Sequence, residues 1–431
     1  MKVGMISLGC DKNRIDSENM LFTLANAGFE IVQDKNEAEI IIINTCAFIE
    51  LAKIETIDTI FEMAKLKENN LKYLVVTGCF ANRYGSNIEL PEVDLWISID
   101  NEKDVVKLLH NLTNTQYEKQ EENEYEFTGR ILTTPNHYAY LKISDGCDKR
   151  CSYCAIPNIR GKYISRPMAV IIEEAKYLIG QGVKEIILVA QDTSSYGKDL
   201  YGKNKLVELL EELVLLDVWK IRLLYVYPEE ISDRLIDFVG KEEKMAKYFD
   251  MPLQHINDSI LTKMNRKSSR EKIENIISKI RNTNSDIAIR STFIVGFPYE
   301  THLEHTQLVD FVTDKLDYAG FFEFSKEEGT PAYNFPDGID KKTCELWRIE
   351  CEEAQCNSTI EHHQKYINKV VEVIYEDIDY DKQMFVGRTE QNAPEIDTNV
   401  FFTSAFPLEI GQIYKVLITK TDFNMYGNTV L

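Results

Sequence analysis

The chain has 431 residues, of which 44% are apolar, and its 70 acidic and 49 basic residues give a formal net charge of −21. This length predicts two or three domains, and the acidic balance disfavours binding to nucleic acid and favours a basic partner. No run reaches the roughly 20 apolar residues of a membrane span, and the N-terminal segment lacks a signal-peptide pattern. We therefore expect a cytoplasmic protein with no membrane contact.

Residues 1–112 alternate strand-like and helical patterns. The runs "KVGMISLGC", "AEIIIINTC" and "YLVVTGC" predict strands, and the segments between them have helical periodicity. This alternation predicts an α/β domain with a doubly wound parallel sheet. The next segment, residues 113–134, is charged and lacks periodicity, which predicts a linker or a solvated hairpin.

Residues 135–362 repeat the strand–helix alternation six times. Six such units predict an incomplete (βα)6 barrel, with its active site at the C-terminal ends of the strands. Residues 363–431 change to short alternating strands, which predict a small all-β barrel.

Three cysteines, Cys10, Cys46 and Cys79, each end a predicted strand of the first segment. The C-terminal ends of parallel strands share one edge of a sheet, so these strand-end cysteines could converge there. Alternatively, each is a small buried hydrophobic residue. In a reducing compartment, cysteines are more often metal ligands, catalytic groups or core residues than disulfides.

A second set, Cys147, Cys151 and Cys154, forms Cys-x3-Cys-x2-Cys within "GCDKRCSYC", on the loop after the first barrel strand. A closed structural metal site has four protein ligands. This cysteine triplet can instead hold three corners of a four-iron cluster and leave the fourth iron open. A zinc site that takes His137 as its fourth ligand is the alternative.

The triplet on the first loop of a six-unit barrel resembles the radical S-adenosylmethionine (SAM) superfamily, and Tyr153 matches the aromatic residue usual there. The resemblance implies that SAM binds the open iron and is cleaved to a 5′-deoxyadenosyl radical that abstracts hydrogen. The stretch "AIPNIRGKYISRP", with Arg160 and Arg166, resembles the methylthiotransferase family. There, cysteines matching the strand-end cysteines hold a second cluster that presents the sulfur or methylthio group. The resemblance thus implies two [4Fe-4S] clusters, SAM and a low-potential electron donor.

Two branches of that family are candidates. The stretch "SLGCDKNRIDSE" resembles the RimO branch, which modifies the β-carbon of an aspartate in small-subunit ribosomal protein twelve; the other branch modifies an adenosine of tRNA. Asp11 stands where the RimO branch usually carries proline. The last segment resembles the TRAM domain of the family.

Charge bears on the choice of partner. From Tyr366 to Leu431 there are five basic and ten acidic residues, a net charge of −5. An acidic module suits a lysine- and arginine-rich ribosomal protein better than tRNA. We therefore predict a methylthiotransferase acting on ribosomal protein twelve, or on the ribosome carrying it. A tRNA methylthiotransferase and a non-enzymatic iron–sulfur carrier are the alternatives.

Further residues have weaker assignments. Several lie near the C-terminal ends of predicted barrel strands, where they could contact SAM or serve as structural residues; Asp192 is favoured for the ribose. The predicted SAM contacts are Tyr153, Gln191, Asp192, Arg222, Gln254 and Gly296. Two further cysteines, Cys344 and Cys351, lie two turns apart on a helical stretch and are predicted to be structural. The histidines that follow, His362 and His363, are predicted to be surface or linker residues.

Overall fold

The computed structural model describes residues 1–116 and 127–430, and it divides into two compact units. The first unit comprises Met1–Thr134, Tyr140–Tyr177 and Ser325–Tyr333; the second comprises Pro135–Ala139, Leu178–Phe324 and Asn334–Leu431. All six predicted cluster cysteines lie in the first unit. Within the described ranges, no helix has the length and apolar character needed to cross a membrane.

The N-terminal part is a five-stranded parallel sheet of order β2-β1-β3-β4-β5. Its elements are β1 (Lys2–Ser7), α1 (Asp11–Asn26), β2 (Glu30–Ile31), β3 (Ile40–Thr45), α2 (Glu50–Ala64), β4 (Tyr73–Thr77), α3 (Gly78–Tyr84), β5 (Leu95–Trp96) and α4 (Val105–Thr113). Separate apolar clusters form around Ile42 and Ile41, whose side chains alternate along β3. The whole of β3 is buried, as expected for a strand covered on both faces. The predicted doubly wound domain is confirmed.

The central part contains six main strands in two three-stranded sheets, of order β10-β9-β6 and β11-β12-β13. Its elements are β6 (Tyr138–Lys142), β7 (Ser144–Asp145), α5 (Ile156–Ile159), β8 (Ile164–Ser165), α6 (Met168–Gly180), β9 (Glu185–Val189), α7 (Lys198–Tyr201), α8 (Leu206–Leu213), β10 (Lys220–Leu223), α9 (Asp233–Lys241), β11 (Tyr248–Gln254), α10 (Asp258–Lys263), α11 (Arg270–Thr283), β12 (Ala288–Val295), α12 (His302–Lys315) and β13 (Tyr318–Glu323). A bridge between Ile221 and Met245 connects the two sheets. The spatial order of the strands follows the chain, as in the predicted barrel.

The C-terminal part is a closed β-barrel of order β14-β15-β16-β18-β17, preceded by a long helix. Its elements are α13 (Lys341–His363), β14 (Val370–Asp379), β15 (Met384–Arg388), β16 (Val400–Thr403), β17 (Ile413–Thr421) and β18 (Met425–Thr429). Phe402, Val416 and Met425 pack in its core. The predicted small all-β barrel is confirmed, although the sequence patterns did not reveal β18, whose run "MYGNT" is short and polar.

On helix α13 the two cysteines were predicted correctly, whereas His363 was not. Cys344 and Cys351 are buried on it, as expected of structural residues. His363, predicted to be a surface or linker residue, is also buried: its Nε2 lies 3.1 Å from the Tyr318 hydroxyl and its Nδ1 lies 3.3 Å from the carbonyl of Asp422. The helix continues to His363, so this residue lies on the buried face of the helix and not in an exposed linker after it.

The predicted linker, residues 113–134, falls partly on residues 117–126, which lie outside the described residues. Its C-terminal portion is not solvated, because Arg130 is only 2% exposed. The Arg130 guanidinium forms ion pairs of 2.8 Å with Glu18 and 2.6 Å with Glu174, and it donates to the carbonyl of Tyr140. Around Arg130 a solvated hairpin is therefore wrong, because a buried arginine in a charged run cannot be recognised by composition; the linker assignment stays a prediction.

Candidate functional site

The strand-end cysteines lie just beyond three neighbouring parallel strands. Cys10 is the residue before α1, Cys46 follows β3 directly, and Cys79 is the second residue of α3. Asn13 Oδ1 is 3.9 Å from Cys10 Sγ and 3.7 Å from Cys79 Sγ. A Cβ on Gly9 would be 3.1 Å from Cys46 Sγ. The three thiols therefore converge at one edge of the sheet, as the parallel topology predicts.

Hydrogen bonds fix the strand ends that carry these thiols. Asn44 Nδ2 donates to the carbonyl of Asn13 at 2.8 Å, and the Thr45 hydroxyl donates to the carbonyl of Thr77. Gly78 has φ +87°, and a Cβ there would lie 2.2 Å from Asn44 Oδ1. The short sequences "NTC" and "TGC" thus position Cys46 and Cys79 through their own side chains and through the glycine.

Asp11 occupies the first position of α1, where the family resemblance predicts proline. Its carboxylate accepts a hydrogen bond from the backbone N–H of Lys12 at 3.0 Å and forms a 2.9 Å ion pair with the Lys12 ammonium. An acidic side chain in the first turn interacts favourably with the helix dipole, and proline is favoured at the same position. The substitution is therefore compatible with the helix start beside Cys10.

Two thiols of this set, those of Cys46 and Cys79, are in an environment that favours their protonated form. Burial raises the pKa of Cys46, and it raises the pKa of Cys79 to about 12, against the opposing effect of the Arg160 guanidinium. Thiolates are the metal-binding form, so metal binding must release these protons.

The cysteine triplet lies on the loop between β7 and α5. Cys147 and Cys151 are buried and Cys154 is half-buried. Gly146, which precedes the triplet, has φ +73°, and a Cβ there would be 2.0 Å from the backbone carbonyl of Lys162. The loop therefore passes against the segment before β8 so closely that only glycine fits.

Backbone groups around the triplet support a cluster. The N–H of Lys149 points at Cys147 Sγ from 3.5 Å, and hydrogen bonds to the sulfurs are among the features that tune iron–sulfur sites. The carbonyl of Ser152 accepts from the N–H of Ala332 at 2.8 Å, which ties the loop to a distant segment of the first unit. Tyr153 is half-buried between these positions.

A buried charge network joins the two cysteine sets within the first unit. The Arg160 guanidinium donates to Asp145 at 2.7 Å, to Asn13 Oδ1 at 2.6 Å and to Asp16 at 3.0 Å. The Lys142 ammonium bonds to Asp16 and, at 3.0 Å, to Asp145. Asp145 lies two residues before the triplet, and Asn13 lies three residues after the first strand-end cysteine. The chain thus links the surroundings of the two sets by direct hydrogen bonds.

An apolar cluster makes a second connection between the sets. It contains Ala47, Cys79, Phe80, Ala155 and Ile159. Ala47 and Ala155 directly follow the cysteines at positions 46 and 154. Together with the charge network, this packing places residues next to both cysteine sets in contact within the first unit.

The titration state of the network follows from burial and from neighbouring charges. Burial opposes ionisation of Asp145, but Lys142 and Arg160 hold the pKa of Asp145 well below its usual value. The pKa of Glu102 is shifted in the opposite direction, because burial and the nearby Asp16 raise it to about 8. At neutral pH, Glu102 is therefore mostly protonated.

Asn13, Asp16, Lys142 and Asp145 were not identified as site residues from the sequence. Asn13 and Asp16 stand three and six residues after Cys10. The beginning of a helix at Asp11 could have revealed Asn13, because a residue in the first turn lies beside the residue that caps the helix. The contacts of Lys142 and Asp145 depend on tertiary structure, which no local pattern reveals.

The remaining predicted SAM contacts lie in the second unit, just beyond or at strand ends. Gln191 is half-buried and Asp192 is buried after β9. The Asp192 carboxylate accepts from the hydroxyl of Ser194 and, at 2.7 Å, from that of Ser195. Gln254 is the last residue of β11 and has φ +72°. The structure shows a local role for Asp192, and its assignment to the ribose stays a prediction.

Arg222 and Gly296 have structural explanations. Arg222 Nε donates at 2.7 Å to Glu185, the first residue of β9, so its side chain is directed to the N-terminal ends of the strands. SAM is expected at the opposite ends, and this geometry favours the structural role for Arg222.

Gly296 has φ +75°, and a Cβ there would be 2.4 Å from Cys344 Sγ. Its N–H donates to Glu300 at 2.6 Å, which closes a tight turn.

The position of His137 does not favour the zinc alternative. His137 Nε2 lies 2.9 Å from Glu376 Oε1. Among residues 1–116 and 127–430, no three or more His, Cys, Asp or Glu side chains are grouped so that they could hold a single metal ion. The cysteines of a four-iron cluster bind separate irons, so they do not need to surround one point.

Three stretches of the chain match known families. Residues 2–98 match the uncharacterized protein family UPF0004, residues 141–312 match the radical SAM superfamily, and residues 367–430 match the TRAM domain. A solved structure of the radical SAM methyltransferase TsrM from Kitasatospora setae has a TM-score of 0.57 at 16% identity, covering 77% of this chain and 76% of that chain. This likeness shows a shared fold.

Full-length relatives are considerably closer. A ribosomal protein uS12 methylthiotransferase RimO from Acetivibrio thermocellus is 44% identical over 445 residues, covering 100% of this chain and 98% of that protein. The protein of the same name from Alkaliphilus oremlandii is 45% identical over 408 residues, covering 94% of this chain and 93% of the relative. The radical SAM superfamily implies a [4Fe-4S] cluster and SAM. The chain is a radical SAM enzyme that belongs to the RimO family of methylthiotransferases.

Proposed function

We propose that the chain inserts a methylthio group at the β-carbon of an aspartate in ribosomal protein uS12, the small-subunit ribosomal protein twelve. The full-length similarity to proteins named uS12 methylthiotransferase carries this proposal. When bound, SAM would supply the radical and the methyl group, and the second cluster would present the sulfur or methylthio group that is inserted. The chain itself must hold two clusters close together, protect them from water and present them to the protein substrate.

The cysteine triplet is proposed to hold the SAM-cleaving cluster, and the strand-end cysteines are proposed to hold a second [4Fe-4S] cluster. Each set offers three thiols, which would leave one iron of each cluster open. The approach of the Cys10 and Cys79 thiols to Asn13 Oδ1, together with the position of Cys46 beside Gly9, supports the second cluster. Group transfer between clusters requires their proximity, and the hydrogen bonds of Arg160 to the surroundings of both sets favour it.

The charge of the C-terminal barrel favours a basic protein partner. Of its five basic residues, Arg388 is buried and ion-paired with Glu185 at 2.6 Å and with Glu376 at 2.8 Å. The Asp397 side chain is buried as well, in an ion pair with Arg290, so four basic and nine acidic residues remain for the surface of the segment. We propose that uS12, or the ribosome carrying it, binds here by electrostatic complementarity. A low-potential electron donor is the second proposed partner.

Mass spectrometry of uS12 and of tRNA, each isolated from cells with and without this gene, tests the substrate. We expect the methylthio mass on the uS12 aspartate to disappear with the gene, while methylthio-adenosine in tRNA stays unchanged. A loss from tRNA with uS12 unaffected would contradict the proposal and assign the chain to the tRNA branch. Restoring the gene with Cys356→Ala, a half-buried cysteine of α13 outside both sets, should restore the uS12 modification.

A further inference from the structure

The side-chain amide of Asn13 has a fixed orientation beside the strand-end cysteines. Its Nδ2 donates to the carbonyls of Leu8 at 3.1 Å and Thr45 at 2.9 Å, and carbonyl oxygens can only accept. Its Oδ1 therefore faces Cys10 and Cys79. A thiol can donate to this oxygen, but a metal-bound thiolate has no proton to donate. Binding of a cluster would thus place negatively charged thiolate sulfur against the partially negative Asn13 Oδ1.

The Arg160 guanidinium is placed to offset that repulsion. It donates to the same Asn13 Oδ1 at 2.6 Å, and its side chain is only 2% exposed. It also lies beside the Cys79 thiol. Because the group is buried, salt screens its charge much less than it would screen a surface arginine.

The charges around Arg160 balance before any cluster is counted. Asp16 and Asp145 are matched by Arg160 and Lys142, and Glu102 is mostly protonated at neutral pH. Without the guanidinium, two carboxylates would face one ammonium next to the cluster thiolates. Net charge and hydrogen bonding near a cluster set its reduction potential, and negative surroundings disfavour the reduced, more negative form.

We propose that Arg160 is a positioning residue for the cluster held by Cys10, Cys46 and Cys79, and that its buried positive charge raises the reduction potential of that cluster. The inference rests on the proposed second cluster. It assigns this role to a residue that stands only six positions after the triplet, in the sequence segment of the other cluster. The segment that binds the first cluster would thereby raise the reduction potential of the second cluster.

Potentiometric titration followed by electron paramagnetic resonance tests this role in variants that can bind only one of the two clusters. In the full chain with the triplet changed to alanine, only the second cluster remains. In this variant, Arg160→Met should change the redox equilibrium constant of the second cluster at least tenfold. For one electron this lowers the reduction potential by about 59 mV. Arg160→Lys keeps the charge and should recover at least half of that change. Arg166→Met is the matched control, because Arg166 bonds instead to the Lys142 carbonyl and Glu174.

The outcomes separate the inference from the proposed function. If the triplet variant binds no iron, although the unsubstituted chain does, the second cluster does not exist and both proposals fail. If it holds a cluster whose potential does not respond to Arg160→Met, or responds equally to Arg166→Met, only the inference fails. An equal shift of the first cluster, measured with the strand-end cysteines changed to alanine, would also overturn it. Iron content and thermal unfolding of each variant show whether the fold and the cluster survive the substitution.

Discussion

His363 is a buried imidazole whose charge state makes the stability of the second unit depend on pH. Burial lowers its pKa from 6.5 to about 4. Between these values the unfolded chain binds a proton that the folded chain does not, so acidification favours unfolding. The stabilisation is fully present above about pH 6.5 and is lost as the pH falls toward about 4.

We expect His363→Gln to reduce the pH dependence of unfolding. Between about pH 7.5 and about pH 5, the wild-type chain should lose about 2 kcal/mol of unfolding free energy through this histidine. Urea unfolding at both pH values measures the loss. His362→Gln is the control, since His362 is the neighbouring half-buried imidazole. An unchanged pH dependence in His363→Gln would contradict the burial argument.

At the residue scale, sequence patterns identified the cysteines but not their surroundings. A thiol at the end of a predicted strand can be recognised, because parallel topology places all such ends on one edge. The contacts of Arg160 and Lys142 join positions more than one hundred residues apart in the chain. Such contacts depend on how elements pack, so Asp16 and Lys142 could not be recognised as members of the site, and Arg222 could not be recognised as an ion-pair partner.

At the element scale, the turn after β12 depends on a glycine. Gly296 has φ +75°, and a Cβ would meet Cys344 Sγ at 2.4 Å. Gly296→Ala should therefore destabilise the fold by about 2 to 4 kcal/mol, partly from backbone strain and partly from the clash. Gly182→Ala is the matched control, because Gly182 has φ +98° but no neighbour within 4 Å; it should cost about 1 to 2 kcal/mol.

A double variant separates the two causes in this turn. Cys344→Ala removes the sulfur that an alanine at position 296 would meet, so the combined variant should be less destabilised than the sum of the single variants. Chemical unfolding followed by circular dichroism measures the coupling. Strict additivity of the two substitutions would contradict the close packing of the turn against α13.

Elements with strong periodicity were the ones predicted correctly. The isoleucine run of β3 and the apolar periodicity of α6 and α12 are local features, so they can be read without the fold. Strand β18 is polar and short, and it is stabilised by pairing with β16 and β17 on both sides. The segment around Arg130 is charged in sequence but buried by ion pairs. In both cases tertiary partners determine the structure.

At the scale of the whole molecule, the account depends on two clusters held by six cysteines of one unit. The three sequence segments of the chain fold into two compact units, and the first unit combines the N-terminal sheet with the loop that carries the triplet. The contacts of Arg160, Lys142 and Arg130 cross the predicted domain limits and join these segments within the first unit. Both proposed cluster sites therefore lie in the same compact unit.

Iron and labile sulfide per chain, measured after anaerobic reconstitution, show how many clusters the chain holds. Two [4Fe-4S] clusters give about eight irons in the unsubstituted chain and about four after alanine substitution of either the triplet or the strand-end cysteines. Cys356→Ala should keep about eight irons, since Cys356 belongs to neither set. Iron content that is unchanged by substitution of either set, or bound zinc in place of iron, would contradict the account.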